Sequence, residues 1–315
     1  MNGGIGIIEM LKKTNILALA GGGKMPCFPL NQLIIWDDHQ GKIISILRFN
    51  DNIINIRLRN DKIITVLQKK IYIFNVNTLE TISCLETFNN PLGIIGMSNG
   101  DNNKLIIAVP YESQGKVYVG NCISENLEKI TIISAHDSKV VCITLNKDAS
   151  LLATVSDKGT IIRIFTIFGI KFGEFRRGTI NVEMNYISFD PNNKFIGCTS
   201  NVGTIHIFSI TGIMNLLNEN KVENKKKDKN EFEPRNSKSF LGKIGGFLNI
   251  RSSYLETERN FARFRIQEEY SLLGFGNDNT FEVITKNGKY YKAAYDPQKG
   301  GDCCKIEEQN FLVEI

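Results

Sequence analysis

The chain has 315 residues, of which 42% are hydrophobic, and it carries a formal net charge of +5 at pH 7. A chain of this length can bury a large core, either as one big all-β domain or as two smaller ones. It contains no run of about 18 apolar residues and its start lacks the pattern of a signal peptide, so we expect neither a membrane-spanning helix nor secretion. The mild basic excess permits an acidic partner without requiring one.

Cysteine usage indicates a reducing compartment. The chain has 7 cysteines, an odd number, and no two of them form a CxxC pair. This pattern favours a cytoplasmic protein over a secreted one. The neighbours Cys303 and Cys304 have poor spacing for zinc, and no cluster of His, Cys and Asp has metal-ligand spacing. We therefore predict no metal site and no cofactor.

Short β-rich segments recur along the chain with turn signals between them, and stretches with helical periodicity are almost absent. They group into six units, of which the fifth begins near residue 186. The other five cover 5–49, 54–86, 92–134, 140–177 and 272–311. A period of about 40 residues with four candidate strands per unit is typical of propeller blades.

The fourth and fifth units repeat each other closely. In the fourth, strand 151–156 and the turn Asp157-Lys158-Gly159 lead into a strand that begins near Thr160; in the fifth, strand 195–200 and the turn Asn201-Val202-Gly203 lead into a strand that begins at Thr204. A β-sandwich would not repeat its turn residues in register. We predict an all-β protein, a β-propeller of WD40-like blades with four strands each, in a single domain over 1–315.

A long insert, 215–259, interrupts this rhythm between the third and fourth strands of the fifth unit. Its first half, 221–238, has mixed charge and few strand formers, which predicts disorder. Five apolar residues in its second half have helical spacing: Phe240, Leu241, Ile244, Phe247 and Leu248. Such a segment can lie in a bilayer interface. The alternative is that it packs against the flank of the propeller, and three glycines weaken it as a free helix.

Two adjacent arginines, Arg176 and Arg177, stand between a strand-like run and Gly178. In an extended segment their side chains would project to opposite faces of the sheet. Arginine is the side chain best suited to forked hydrogen bonds with phosphate. The pair therefore predicts two anion sites back to back; the alternative is a solvated surface pair.

Hydroxyl and imidazole side chains that could assist each arginine occur near the fourth unit and in the fifth. The set near the fourth unit comprises His136, Thr154, Ser156, Gly159, Thr160 and Arg163, and the set in the fifth comprises Ser200, Thr204 and His206. Taken alone, either histidine could be a packing residue. Together with an arginine, each set is a plausible phosphate-binding group.

Enzymatic and nucleic-acid functions find little support. Gly21-Gly22-Gly23-Lys24 lacks the glycine spacing and the hydroxyl residue of a P-loop. No cysteine stands six residues before an arginine, as in cysteine phosphatases, and the adjacent Asp37 and Asp38 would diverge on a strand. The basic residues form no face interleaved with aromatics. We predict a non-enzymatic protein that does not bind nucleic acid.

The motif Phe175-Arg176-Arg177-Gly178, together with 156–163 before it and 203–208 after it, resembles the PROPPIN (WIPI-type) phosphoinositide-binding propellers. The resemblance extends over nearly the whole chain, from Ala20-Gly21-Gly22-Gly23 and 35–38 to segments near the end. Those segments are 261–265, 295–297 and 300–303. It implies binding of phosphatidylinositol 3-phosphate and phosphatidylinositol 3,5-bisphosphate without catalysis.

The resemblance also implies two sets of site residues. The first headgroup site would use His136, Thr154, Ser156, Gly159, Thr160, Arg163 and Arg176. The second would use Arg177, Gly178, Ser200, Thr204 and His206. The insert corresponds to the membrane-inserting loop of the family, and Thr154 stands where a serine is common.

The family has seven blades, whereas this chain begins where the second normally begins. We therefore expect either that a first blade is missing from the sequence or that the ring closes differently. The implied role is a peripheral effector at autophagosomal, endosomal or vacuolar membranes, or at a plastid. Its partners would be autophagy-type scaffold or lipid-transfer proteins. The alternative is a WD40-type interaction scaffold that binds an acidic peptide without lipid.

Overall fold

The computed structural model describes residues 3–98, 104–123, 126–212 and 260–312. They form 25 β-strands arranged in six sheets. Each of the six β-rich units expected from the sequence corresponds to one sheet. Within the described ranges no helix is long and apolar enough to cross a membrane. The apolar residues of the insert, 240–248, lie outside the described residues.

The first three sheets follow the chain in order, and in each of them neighbouring strands are antiparallel. The first contains β1 (Ile5–Met10), β2 (Ile16–Gly21), β3 (Gln32–Asp37) and β4 (Lys42–Arg48). The second contains β5 (Asn55–Leu58), β6 (Lys62–Val66), β7 (Lys70–Asn75) and β8 (Thr81–Glu86). The third contains β9 (Gly96–Met97), β10 (Lys104–Pro110), β11 (Lys116–Ile123) and β12 (Asn126–Ser134).

The remaining sheets carry the arginine motif and the residues after it. The fourth contains β13 (Val140–Leu145), β14 (Leu151–Ser156), β15 (Ile161–Thr166) and β16 (Lys171–Arg176). The fifth contains β17 (Met184–Phe189), β18 (Phe195–Ser200), β19 (Thr204–Ser209), β20 (Ala262–Arg265) and the short parallel strand β24 (Gly301–Asp302). The sixth contains β21 (Ser271–Phe275), β22 (Thr280–Thr285), β23 (Lys289–Ala294) and β25 (Cys304–Asn310).

The chain divides into two compact units. The first comprises Met1–Leu152 and Ile167–Gly169, and the second comprises Ala153–Thr166 and Ile170–Ile315. In the first unit, side chains such as Leu33, Ile56 and Ile63 form a buried core. The strand residues of this core include the β-branched Ile35, Ile56 and Ile63, which pack well on a pleated surface.

In the second unit, the core contains Ile205 and Ile207 of β19 together with Ala262 and Phe264 of β20. These residues alternate with more exposed ones along both strands. One face of the fifth sheet therefore packs in the core. The other face presents the side chains of the intervening residues, among them Thr204 and His206.

The fifth sheet joins two stretches of the chain that are far apart in the sequence. β19 ends at Ser209 and its partner β20 begins at Ala262, and the two strands are the third and fourth of the fifth sheet. The segment between them can therefore be long without disturbing the pairing of β19 with β20.

Candidate functional site

Strand β16 carries the first arginine of the motif. It pairs with β15 so that Arg176 lies opposite Ile161 and Glu174 lies opposite Arg163. Residues directly opposite each other in an antiparallel pair project to the same face, and so do residues two apart. Arg163, Glu174 and Arg176 therefore share one face of the fourth sheet.

Phe175 projects to the other face and anchors the motif. Its side chain is only 3% exposed, and its ring centroid lies 5.4 Å from that of the fully buried Phe208 on β19. Burying a phenylalanine contributes about 1.5–3 kcal/mol. This contact fixes the end of β16 beside the fifth sheet and so positions both arginines that follow Phe175.

Arg177 comes directly after the strand, and its guanidinium is held by two backbone carbonyls. Its Nε donates a hydrogen bond to Gly159 O at 2.6 Å, and one terminal nitrogen donates to Ile180 O at 2.5 Å. Its backbone N–H donates to Thr160 O at 2.9 Å. The two carbonyls therefore fix the direction of the half-buried side chain.

Gly159 makes this arrangement possible. Its φ is +64°, in the left-handed region where a side chain is strained, and a Cβ at this position would lie 2.3 Å from Val182 O. Only glycine leaves the chain free to turn here while its carbonyl accepts from Arg177. Gly203 occupies the same place in the next unit, with φ of +66° and no room for a Cβ against Ile266 O.

The fifth sheet presents a polar face to Arg177. Cys198 lies opposite His206, and His206 lies opposite Arg263, so the three side chains form one row across β18, β19 and β20. Ser200 and Thr204 lie two residues from Cys198 and His206 and therefore project to the same face.

Burial and positive charge set the protonation states of this row. Burial raises the pKa of the Cys198 thiol to about 12, although nearby Arg177 acts to lower it. Burial, reinforced by the charges of Arg177 and Arg263, lowers the pKa of His206 to about 4. Burial also lowers the pKa of Arg177. Near neutral pH both the thiol and the imidazole are therefore uncharged, and the arginines supply the positive charge.

Two polar atoms on this face are buried without a partner among the described residues: Ser200 Oγ and His206 Nδ1. Ser200 is 1% exposed. A buried polar atom that makes no hydrogen bond costs about 1–3 kcal/mol, so native structures rarely leave one unsatisfied. Both atoms stand on the face that Arg177 approaches. They are the groups that an oxyanion ligand would satisfy.

The face that bears Arg176 is built differently. Arg176 is exposed, whereas the half-buried Arg163 donates through Nε to Glu174 at 3.0 Å, and Lys171 pairs with the same carboxylate at 2.5 Å. Burial acts to raise the pKa of Glu174, but the bonds from Lys171 and Arg163 outweigh it and the pKa is lowered. Glu174 therefore offsets part of the positive charge on this face.

The other residues predicted for the first site differ in accessibility. Thr154 is fully buried and Ser156 is 7% exposed, whereas Thr160 is half-buried. His136 belongs to the first of the two compact units, where its backbone N–H donates to Gly115 O at 3.1 Å. Of the residues predicted for this site, Thr160, Arg163 and Arg176 are thus accessible, whereas Thr154 and Ser156 are buried on β14.

Sequence reasoning missed Arg263 as a neighbour of His206. It lies on β20, more than fifty residues after His206 along the chain, and becomes its neighbour only through strand pairing. The signal available was the repeat itself, because a fourth strand follows the third in each blade. The insert between β19 and β20 hid that relation.

Comparison with known protein families identifies the family of the chain. The family model described as PROPPIN matches residues 26–312. The chain therefore belongs to the PROPPIN family, whose members are non-enzymatic, phosphoinositide-binding β-propellers.

Relatives and solved structures extend the match. The chain is 31% identical to autophagy-related protein 18e of Arabidopsis thaliana, covering 98% of this chain and 77% of the relative. It is 28% identical to autophagy-related protein 18 of Dictyostelium discoideum, covering 99% and 84%. The structure of Kluyveromyces lactis Hsv2 with complete loop 6CD superposes with a TM-score of 0.72 at 18% identity, covering 98% and 87%. The last comparison concerns the fold alone, and it confirms the predicted β-propeller.

Proposed function

We propose that this protein binds phosphatidylinositol 3-phosphate and phosphatidylinositol 3,5-bisphosphate through two sites that flank Arg176 and Arg177. It would act as a reversible peripheral membrane effector and not as an enzyme. One observation carries the proposal: Arg177 is oriented by two carbonyls toward a face on which Ser200 Oγ and His206 Nδ1 are buried without a described partner.

The second headgroup site, around Arg177, has the groups that a phosphate monoester requires. A guanidinium carries five N–H donors, and two of them are used by Gly159 O and Ile180 O, so three remain for phosphate oxygens. Ser200 and Thr204 add hydroxyl donors. His206 is neutral and can donate from Nδ1 to the same oxygens, and the half-buried Gly178 leaves space beside the arginine.

The first headgroup site, around Arg176, rests on fewer fixed contacts. Arg176, Arg163 and Thr160 are accessible, and the turn at Gly159 places Thr160 beside the motif. Thr154 and Ser156 support them from the buried strand β14. The assignment of His136 to this site rests on its position in the sequence before the fourth unit and on the family resemblance.

Two weak sites on one protein gain from acting together. Once one headgroup is bound, the second binding event is intramolecular, which multiplies the avidity for a membrane that carries several copies of the lipid. Apolar residues of the insert would add to this by entering the interface. The anionic cytosolic leaflet would attract the lysines of the insert.

The names of the relatives indicate the process. Two of them are autophagy-related proteins, and a further structure with a TM-score of 0.71 is a complex of KlAtg21 with the coiled-coil of AgAtg16. We therefore propose autophagy-type scaffold or lipid-transfer proteins as partners. The membranes would be autophagosomal, endosomal or vacuolar, with a plastid membrane as the alternative.

Liposome co-sedimentation tests the proposal. Vesicles containing one phosphoinositide at a time are mixed with the wild type, with the double variant Arg176→Thr/Arg177→Thr, and with Lys194→Thr as a control. Lys194 is exposed and directly precedes β18, at the end of the strand opposite to Ser200. Its replacement therefore removes one positive charge from a position that is distant from the motif. We expect selective pelleting with the two 3-phosphorylated lipids for the wild type and the control, and none for the double variant.

Two outcomes would contradict the proposal. One is retained binding by the double variant. The other is equal binding of the wild type to every anionic lipid, which would mean that general charge and not a formed pocket holds the protein on the membrane.

A further inference from the structure

We propose that Arg263 is a further ligand-binding residue of the Arg177 site, and that it makes this site favour headgroups that carry a second phosphate. This inference rests on the proposed function, because it concerns the same site. It assigns a specificity role to a residue on β20, a strand that the arginine motif does not include.

Strand pairing places Arg263 at the site. It lies directly opposite His206 in the antiparallel pair β19–β20. Opposite residues in such a pair have Cβ atoms about 4.5–5.5 Å apart and project to the same face. In the row formed by Cys198, His206 and Arg263, Arg263 therefore lies one strand beyond His206. Arg177 approaches the same face near Cys198, at the β18 end of the row. The charges of Arg177 and Arg263 both act on the imidazole of His206.

This face has an excess of positive charge. Arg265, two residues after Arg263, lies opposite Thr204 and so projects to the same face. With Arg177 this gives three guanidinium groups on or beside the face. Among the described carboxylates, Asp302 on β24 pairs with Arg263. A monoester phosphate, with a charge of about −1.5 to −2 near neutral pH, would satisfy Arg177, while Arg263 would keep its exposed pair with Asp302 and Arg265 would gain no counterpart.

The pair between Arg263 and Asp302 is open to exchange. Nε of Arg263 donates to Asp302 Oδ1 at 2.6 Å, and the two side chains are 47% and 76% exposed. Exposed ion pairs contribute little because water screens both charges. Among the described residues, the terminal nitrogens of Arg263 have no hydrogen-bond acceptor. They form a fork of the kind that binds phosphate through two parallel bonds.

These contacts define a division of roles. Arg177, Ser200 and His206 would hold the first phosphate deep on the face, and Arg263 would take a second phosphate of the same inositol ring at the more exposed end of the row. A headgroup with one phosphate would not reach both arginines. Removal of Arg263 should therefore affect the bisphosphate lipid and spare the monophosphate lipid.

The test uses the full-length protein in an Arg176→Thr background, so that the Arg177 site alone binds. Affinities for liposomes with phosphatidylinositol 3-phosphate or phosphatidylinositol 3,5-bisphosphate are measured with and without Arg263→Ala. We expect the variant to lose about tenfold in affinity for the bisphosphate lipid, as for a lost charge-assisted hydrogen bond, and less than about twofold for the monophosphate lipid. Asp302→Asn, which releases Arg263, should strengthen bisphosphate binding.

Controls separate this effect from folding and from general charge. Lys194→Ala removes the same charge at the other end of β18 and should reduce both affinities equally or not at all. Short-chain soluble forms of the two lipids, measured by calorimetry without a bilayer, should show the same selective loss in Arg263→Ala. Thermal unfolding should be unchanged, because Arg263 is exposed.

The inference is overturned if Arg263→Ala weakens both lipids equally, weakens neither, or weakens the bisphosphate lipid only on liposomes and not in soluble form. In the last case Arg263 would be sensing surface charge. These results leave the proposed function standing, since that function fails only if the Arg176→Thr/Arg177→Thr variant still binds.

Discussion

Arg176 and Arg177 are neighbours in the chain, yet their side chains have very different surroundings. The guanidinium of Arg177 is half-buried and bonded to Gly159 O and Ile180 O. The side chain of Arg176 is exposed, and within the described part of the chain no hydrogen-bond acceptor or carboxylate pairs with it. The face beside Arg177 holds buried polar atoms that find no partner among the described residues, whereas the face of Arg176 already carries the Arg163–Glu174 ion pair.

This difference indicates how a single dipeptide can serve two sites of unequal strength. Binding to a pre-oriented side chain costs little ordering entropy, whereas binding to a free arginine costs part of its rotamer freedom, up to about 2 kcal/mol. We therefore expect the Arg177 site to bind a headgroup more tightly than the Arg176 site. Variants that alter the surroundings of one arginine at a time test this difference.

The largest effect is expected for Gly159→Ala. Its positive φ and the contact with Val182 O leave no room for a methyl group, so the turn that supplies a carbonyl to Arg177 must shift. We expect a loss of about 2–4 kcal/mol in the free energy of unfolding, together with loss of binding at the Arg177 site. Chemical denaturation and calorimetry measure the two effects.

Gly178→Ala is the matched control, because a Cβ at Gly178 would have no atom within 4 Å and its φ is not in the left-handed region. Its stability should stay within about 0.5 kcal/mol of the wild type. Equal losses in the two variants would contradict the role assigned to the Gly159 turn.

Replacing each arginine with methionine sharpens the comparison directly. Arg177→Met removes two hydrogen bonds to backbone carbonyls and should lower the free energy of unfolding by about 1–3 kcal/mol. Arg176→Met removes no such bond and should change it by less than about 0.5 kcal/mol. Urea denaturation at one pH measures both values. If both variants lose the same stability, Arg177 is not held by the contacts described here.

His206, on the Arg177 side, makes the stability of the folded protein depend on pH. Its pKa of about 4 in the folded state lies below the usual value of 6.5, so the unfolded chain binds its proton more readily. The stability that neutral His206 contributes is complete above the unfolded pKa and is lost as pH falls through 6.5 toward 4. After allowance for its partial exposure, we expect a loss of about 1 kcal/mol between pH 7 and pH 5.

His206→Gln should remove that part of the acid sensitivity, as measured by denaturation at the two pH values. His39→Gln, which removes an imidazole from an exposed turn of the first sheet, is the matched control for the loss of an imidazole. An unaltered pH dependence in His206→Gln would show that the imidazole is not held neutral on this face.

The smallest effect is expected for Glu174→Gln on the Arg176 side. The carboxylate pairs with Arg163 and Lys171 at a partly solvated position, and such pairs contribute about 0.2–1 kcal/mol. Stability should fall slightly, while the affinity of the Arg176 face for anions should rise a few-fold as two cations are released. Vesicle binding in an Arg177→Thr background measures the gain, and a decrease there would contradict it.

Sequence periodicity predicted the fold well because each blade repeats its turn chemistry. The glycines at 159 and 203 have positive φ as their turns require, and the strands of the fourth and fifth units lie where the pattern indicated. The motif also predicted two arginines with separate surroundings, since alternation along a strand is a local property.

Other features of the site depend on distant pairing that no local pattern reveals. Arg263 meets His206 only after the insert has been bridged, and Asp302 reaches Arg263 through a short parallel strand that follows the sixth sheet's third strand. The full burial of Thr154 likewise follows from packing around β14 and not from its hydroxyl. The sequence therefore did not predict how deeply these side chains are buried or which residues lie opposite each other on neighbouring strands.

Binding stoichiometry tests the central claim of two sites most directly. Soluble short-chain phosphatidylinositol 3-phosphate is titrated by calorimetry into the wild type, Arg176→Thr, Arg177→Thr and the double variant. We predict two sites in the wild type, the weaker remaining in Arg177→Thr, the tighter remaining in Arg176→Thr, and none in the double variant. A single site in the wild type, or two sites surviving in either single variant, would contradict the account.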